Sequence, residues 1–330
     1  MRRVLGRCRL VPLALGIALA TGVAAIAGDA RQAPAPLRIG VLNDAFAANH
    51  PAVEGLKAGL RELGLEEGRD VAYEIRFTRG DPAGTREHAA AMVNARVSVI
   101  FTSNEAATRS AIASTTTIPI VFTLVRDPVA SKFVGSLSKP GGNATGISSL
   151  TGRLAGKRLE FLKALAPKVR RVWAIFDAAD EVAAAAVAQA QGAASQLGLH
   201  LVPRPVGSPD ELARAIAGIR PGDGLLVPDS GRFDIASALL DVSIAARFPA
   251  VFPASLYVGY GGLVSYGSDY YAEGFQAARL VEKILHGARP GNLPVEGAER
   301  IDLAINLETA RRLGLDVPRK ILLRADTIRR

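Results

Sequence analysis

The sequence predicts an α/β protein of two lobes, each with a mainly parallel sheet, joined by three crossings that border a ligand cleft. Three observations lead there. Short apolar runs alternate with segments of helical periodicity along most of the 330 residues, which is the pattern of βα units. The alternation stops at Lys139-Pro140-Gly141-Gly142-Asn143 and then begins again, dividing the units into two series. The stretch Gly261-Gly262-Leu263-Val264-Ser265-Tyr266-Gly267-Ser268-Asp269 stands between the second series and a long amphipathic helix, where the chain is expected to leave one lobe and return to the other. Gly261 and Gly262 suit a backbone that bends at a hinge. An ordinary strand followed by a helix capped by Ser268 or Asp269 is the alternative.

Taken in order, Leu37 to Leu42 reads as the first buried strand, and Asn43-Asp44-Ala45-Phe46 as the polar loop leaving it. Val53, Leu56, Leu60 and Leu63 recur at helical spacing, whereas Val71, Tyr73, Ile75 and Phe77 alternate as in a strand. A helix follows around Thr85 to Ala95, then a strand at Val97 to Phe101, capping residues at Thr102-Ser103-Asn104-Glu105 opening the next helix, and a strand at Ile118 to Leu124. Ala144 to Ser148 is a short strand at the first crossing. The second series reads as helix Leu154 to Leu165, strand Val172 to Phe176, helix Glu181 to Leu197, strand Leu199 to Pro203, helix Asp210 to Ile219, strand Gly224 to Val227, helix Ile235 to Arg247 and strand Ala250 to Phe252. Phe275, Ala278, Leu280, Val281, Ile284 and Leu285 mark the long helix, and Ile301 to Ile305 a late strand and another crossing. The expected first lobe is therefore 37–145 with 264–300, and the second 146–263 with 301–330.

The beginning of the chain reads differently. A basic start without acids, Met1 to Arg9, precedes an apolar run of 18 residues from Leu10 to Ala27 that ends in Ala25-Ile26-Ala27. This is the pattern of a secretory signal peptide over 1–27, followed by a linker over 28–36 containing Pro34 and Pro36. Cleavage removes four arginines, so the formal charge of +9 falls to +5. That charge is mild and unclustered, and no nucleic-acid partner is expected. The single cysteine, Cys8, lies in the signal, so the exported chain has no disulfide, thiol nucleophile or thiolate metal site. Hydrophobic residues make up 49% of the chain, enough for a substantial core in each lobe.

Catalytic signatures do not appear. The four histidines are scattered without metal-ligand spacing, and there is no G-x-S-x-G elbow and no G-x-G-x-x-G after the first strand. Gly156-Lys157 is followed by Arg158 where a phosphate loop needs Ser or Thr. No enzyme activity, metal or cofactor is expected. What remains are polar residues at C-terminal strand ends, where open α/β sheets bind ligands: Asn43, Asp44 and Phe46; Ser103 and Asn104; Arg126 and Asp127; Ser148; Asp177; Asp229; and Tyr266. Carboxylates for an ammonium, helix N–H groups for a carboxylate and an aromatic for an apolar group suit a zwitterionic amino acid.

Longer runs then point to a family. Gly261 to Gly267, Ala277-Ala278-Arg279-Leu280-Val281-Glu282-Lys283-Ile284-Leu285-His286-Gly287, Leu293-Pro294-Val295-Glu296, Leu303 to Ala310 and Leu322 to Asp326 are similar to the periplasmic substrate-binding proteins of ABC transporters, of the type labelled tryptophan/tyrosine transport. So are Thr117 to Phe122 with Asp127-Pro128-Val129, Lys139 to Gly146, and Gly156 to Glu160. The resemblance implies a type I periplasmic-binding fold of two Rossmann-like lobes, hinge closure on an amino-acid-like ligand, an inner-membrane ABC permease as partner, a periplasmic location and a monomer. A ligand sensor or an α/β enzyme acting on a small molecule is the alternative. Arg126 stands where the family more often has a small residue; an arginine there selects a second carboxylate or pairs with Asp127.

The N-terminal reading has a direct check. Mass spectrometry of the exported protein is expected to show loss of the first ~27 residues, and an intact Met1 to Ala27 would contradict it.

Overall fold

Strand β1 (Leu37–Asn43) sets the layout, because its residues are buried on both faces. Ile39 and Val41 enter one apolar layer and Leu42 the other, so the strand reads as a continuous apolar run, not an alternating one. The computed structural model describes residues 35–43, 50–78, 81–149, 154–228 and 233–330, the side chains of 233 and 234 excepted. The expected signal peptide, most of the linker, Asp44, Phe46 and Asp229 lie outside the described residues.

The first sheet also contains β2 (Val71–Phe77), β3 (Val99–Thr102), β4 (Ile120–Val125), β5 (Ala144–Ser148) and β11 (Glu296–Gly297), in the order β11-β5-β4-β3-β1-β2 and parallel throughout. Helices α1 (Pro51–Glu62), α2 (Pro82–Asn94) and α3 (Glu105–Ser114) connect its strands. The second sheet has the order β13-β12-β10-β9-β8-β6-β7. Its strands are β6 (Arg171–Asp177), β7 (His200–Val206), β8 (Gly224–Leu226), β9 (Ala250–Phe252), β10 (Val264–Ser268), β12 (Ile301–Asn306) and β13 (Thr327–Arg329), with β10 and β12 antiparallel. Around it lie α4 (Ala155–Leu165), α5 (Glu181–Gln196), α6 (Pro209–Ala217), α7 (Phe233–Ala245), α8 (Ser255–Gly259), α10 (Leu307–Arg312) and α11 (Arg319–Leu322). Each sheet carries an apolar layer on both faces.

Strand β7 is an edge strand and holds Pro203 and Pro205. The Val206 carbonyl accepts from Ala178 N and His200 N donates to the Arg170 carbonyl, so the even-numbered residues face β6. The two prolines therefore stand at outward-facing positions.

The chain passes between the sheets after β5, at Asp269 and between β11 and β12. Two expected boundaries shift. β5 belongs to the first sheet through Ser148 instead of ending it at 145. β10, expected in the first lobe, lies in the second sheet, where Val264 and Ser265 pair with β9 and all five residues pair with β12. Staying beside β9 needs only the short α8, whereas joining the first sheet would break that pairing. Gly261 and Gly262 serve this turn inside the second lobe and are not at the crossing. Gly261 has φ +109, and a Cβ on Gly262 would meet the Phe252 ring at 2.8 Å.

After the crossing, α9 (Tyr270–Leu285) returns to the first lobe. Asp269 caps it, accepting from Tyr271 N at 2.9 Å and Ala272 N at 3.2 Å. Ala277, Ala278, Leu280 and Val281 share the apolar layer with Val53, Leu56 and Leu60 of α1. Backbones come close at this contact. A Cβ on Gly55 would stand 2.0 Å from the Tyr271 carbonyl oxygen, and one on Gly274 would stand 1.9 Å from that of Ala52. Both obstacles are main chain, which cannot rotate away.

Gly274→Ala is therefore expected to destabilise the protein by about 2 kcal/mol through overpacking, read as a lower urea midpoint. An unchanged midpoint would mean that the two helices separate freely.

Candidate functional site

The polar residues at the C-terminal end of the first sheet form a connected set. Asn43 and Ser103 are buried, and Ser103 Oγ donates to Asn43 Oδ1 at 2.9 Å. Parallel strands β1 and β3 end side by side, which brings together residues 60 positions apart. Asn104 caps α3, its Oδ1 accepting from Ala107 N at 2.8 Å. Ser148 is also buried and donates to the Arg126 carbonyl at 3.2 Å.

Arg126 is the centre of the set. β4 carries a register shift between Phe122 and Val125, with Leu124 in the left-handed region at φ +57. The buried carboxylate of Glu273, in the first turn of α9, accepts from Leu124 N at 2.8 Å. A bulge of this kind turns the following side chain away from the regular strand direction. The guanidinium that follows is buried, with only 5% of its side chain exposed. Its Nε and Nη2 donate to Glu105 Oε1 and Oε2 at 3.0 and 2.6 Å, a planar fork on a carboxylate. Arg126 N also donates to Glu105 Oε1 at 3.2 Å.

The remaining face of Arg126 reaches the other lobe. Nη1 donates to Asp180 Oδ1 and Oδ2 at 3.0 and 2.9 Å. Asp180 is the cap of α5 in the second lobe, its Oδ1 also accepting from Ala183 N at 2.9 Å. Among the described residues, two carboxylates thus surround one guanidinium.

Asn43, Ser103, Asn104, Arg126 and Ser148 come together at the strand ends. Two other expected site residues, Asp127 and Tyr266, do not join them, and Asp177 stands beside Asp180, whose N donates to its carbonyl at 3.0 Å. Asp127 is exposed and closes a turn, accepting from Val129 N at 3.1 Å and Ala130 N at 2.9 Å, so it is not the partner of Arg126. Asp177 closes a turn through Ala179 N at 3.0 Å. Tyr266 is half-buried and packs against the second lobe with its ring 5.0 Å from that of Phe161 on α4, and Arg158 Nε donates to its carbonyl at 2.7 Å. Strand parity accounts for this: at the middle of β10 the side chain faces the α4 layer, not the strand end. Glu105, Asp180 and Glu273 were not anticipated. Each stands at a helix start, where an acid reads simply as a cap or dipole partner. Ser268, at the end of β10, was not anticipated either; its buried Oγ has no hydrogen-bond partner among the described residues.

With this geometry in view, comparison with known proteins is decisive. A family model described as ABC transporter substrate binding protein matches residues 44–329. The chain belongs to this family. A tyrosine-binding protein of Clostridioides difficile (strain R20291) is 27% identical to this substrate-binding protein over 274 residues, covering 81% of this chain and 78% of that one. The structure of an ABC domain from Streptococcus pneumonia in complex with L-Trp superposes with a TM-score of 0.80 at 24% identity, covering 89% of this chain and 100% of that one. A conserved domain protein from Vibrio cholerae O1 biovar El Tor superposes at 0.79 with 30% identity, covering 88% and 99%. The two-lobed architecture is that of type I periplasmic binding proteins. Among the described residues no helix is long and apolar enough to cross a membrane, and no cluster of potential metal ligands occurs.

One titrating group lies beside the crossing. His50 caps α1, its Nδ1 accepting from Ala52 N at 3.3 Å, and its ring stacks on Tyr270 at 5.7 Å. Tyr270 in turn packs on an apolar layer of the second lobe. Burial disfavours the charged imidazole and lowers its pKa from 6.5 to about 4.

The sign of the resulting pH dependence is fixed. Folded His50 stays neutral while the unfolded chain takes up a proton at its ordinary pKa, so acidification favours unfolding. Stability is expected to fall between pH 6.5 and about 4 and to level off below, with a total loss on the order of 3 kcal/mol. His50→Asn keeps a capping side chain and removes the proton, so melting followed against pH should lose this slope; an unchanged slope would assign the dependence to other groups.

Proposed function

We propose that this substrate-binding protein captures a free amino acid, aromatic by preference, between its lobes, and closes around it by hinge motion at the crossings. In this reading it works in the periplasm, delivers the ligand to an inner-membrane ABC permease and performs no covalent chemistry. The observation that carries the proposal is the convergence of buried polar side chains at the C-terminal strand ends of the first lobe, joined by Arg126 to Asp180 at the start of α5 in the second. A ligand held between the lobes makes its full set of contacts only when they are closed, so it shifts the population toward closure.

The charge balance favours a particular ligand class. Among the described residues Glu105 and Asp180 outnumber Arg126, which suits the ammonium of an amino acid. The two carboxylates already occupy Arg126 on both sides, which disfavours its use as a receptor for a second ligand carboxylate. The relatives named for tyrosine binding and solved with L-Trp support the aromatic preference.

Titration calorimetry with L-Tyr, L-Trp, L-Phe, L-Glu and malate tests this. One-to-one binding of an aromatic amino acid is expected, with about 2.7 kcal/mol of added stability at a hundredfold excess over Kd, and no binding of the diacids. Binding confined to diacids, sugars or nucleosides would overturn the assignment.

A further inference from the structure

We propose that Arg126 and Asp180 form an inter-lobe latch that holds the lobes together before ligand arrives and thereby sets ligand affinity, Arg126 acting as a positioning residue. This deepens the lobe-closure reading above and rests on it.

The two halves of the latch are built separately, one into each lobe. In the first lobe, Glu105 grips Arg126 through Nε, Nη2 and the backbone N–H, and Ser148 Oγ binds its carbonyl. Glu273 secures the bulge that aims it, through Leu124 N. In the second lobe, Asp180 is fixed by its capping bond to Ala183 N. None of these bonds crosses the cleft, so all of them survive opening. The two contacts from Nη1 to Asp180 do cross it and are lost when the lobes part. The pair therefore distinguishes the two arrangements without any ligand.

The pair is also placed to act strongly. The side chains of Arg126 and Asp180 are 5% and 9% exposed, so solvent and salt screen them little. Because both groups are already oriented, little side-chain freedom remains to be lost on closing. The closed fraction f of the ligand-free protein enters the affinity directly, the apparent Kd being the intrinsic value divided by f. Removing the latch lowers f and weakens binding through the ligand-free equilibrium, so it changes lobe separation before any ligand is added, which the loss of a ligand contact does not.

Asp180→Asn is the incisive variant, because Asn keeps the cap on α5 and loses only the charge. Small-angle scattering of the ligand-free protein reads lobe separation, and calorimetry with L-Tyr, L-Trp and L-Phe reads affinity. The expected result is a larger radius of gyration for D180N without ligand, an unchanged melting profile for the helical signal, and a Kd weakened roughly tenfold for every amino acid that the wild type binds. Arg126→Gln should open the lobes likewise, and adding D180N to it should open them no further. A radius of gyration in D180N equal to that of the wild type would overturn the latch. Should the wild type bind none of the three amino acids, the ligand assignment fails while ligand-free scattering still decides the latch.

Discussion

The close contact between α1 and α9 is the constraint on which the architecture depends. Residues of α9 lie more than 200 positions after those of α1, yet Gly55 and Gly274 let the two main chains nearly touch. To reach this place, the chain must leave the second sheet at the end of β10 and cross back. It must then cross once more, because β12 completes the second sheet beside β10. These two passages run side by side, tied by the bond from Asp269 N to the Arg300 carbonyl and by Arg300, which pairs with Asp302 at 2.9 Å and Asp269 at 3.5 Å. Two passages tied in this way limit twisting of each other.

The same helix links these passages to the C-terminal strand ends of the first sheet. Its first turn delivers Glu273 to the β4 bulge, and the bulge presents Arg126 to the second lobe. The unusual backbone of Leu124 is thus held by a side chain that belongs to the returning segment. Strain at such a position persists because neighbouring structure over-determines it. The candidate site is accordingly a product of long-range closure: its parts come from β5, α3, α5, α9 and the ends of β1, β3 and β4, and no short segment contains it.

This explains which features the sequence disclosed. The βα succession was legible because parallel strands buried on both faces leave unbroken apolar runs such as Ile39 to Leu42, and because α1 and α9 keep helical periodicity on one apolar face. Asn43, Ser103 and Ser148 were legible because they directly follow or end such runs. Arg126 was legible as a position but not by its partners: Asp180 is 54 residues away and meets it only across the cleft. Asp127, next in the chain, offered a simpler pairing that the turn at Val129 and Ala130 takes instead. The lobe of β10 was illegible for a related reason, since Val264 to Ser268 would be buried in either sheet. The surroundings of Tyr266 were illegible too, since an aromatic near glycines resembles a binding residue, whereas its place along the strand brings its ring against Phe161.

The prolines of β7 bear on a different property, the solubility of a protein whose sheets end in open edges. An exposed edge strand offers unpaired N–H groups on which another chain can add a strand and begin aggregation. At Pro203 and Pro205 those outward donors do not exist, so β7 is a poor template for any added strand. The second sheet's other margin is β13, of three residues, and one margin of the first sheet is β11, of two, both too short to seed extension; the remaining margin is β2, of seven residues. Three of the four sheet margins are therefore poor templates for another copy, and only β2 keeps a full-length edge.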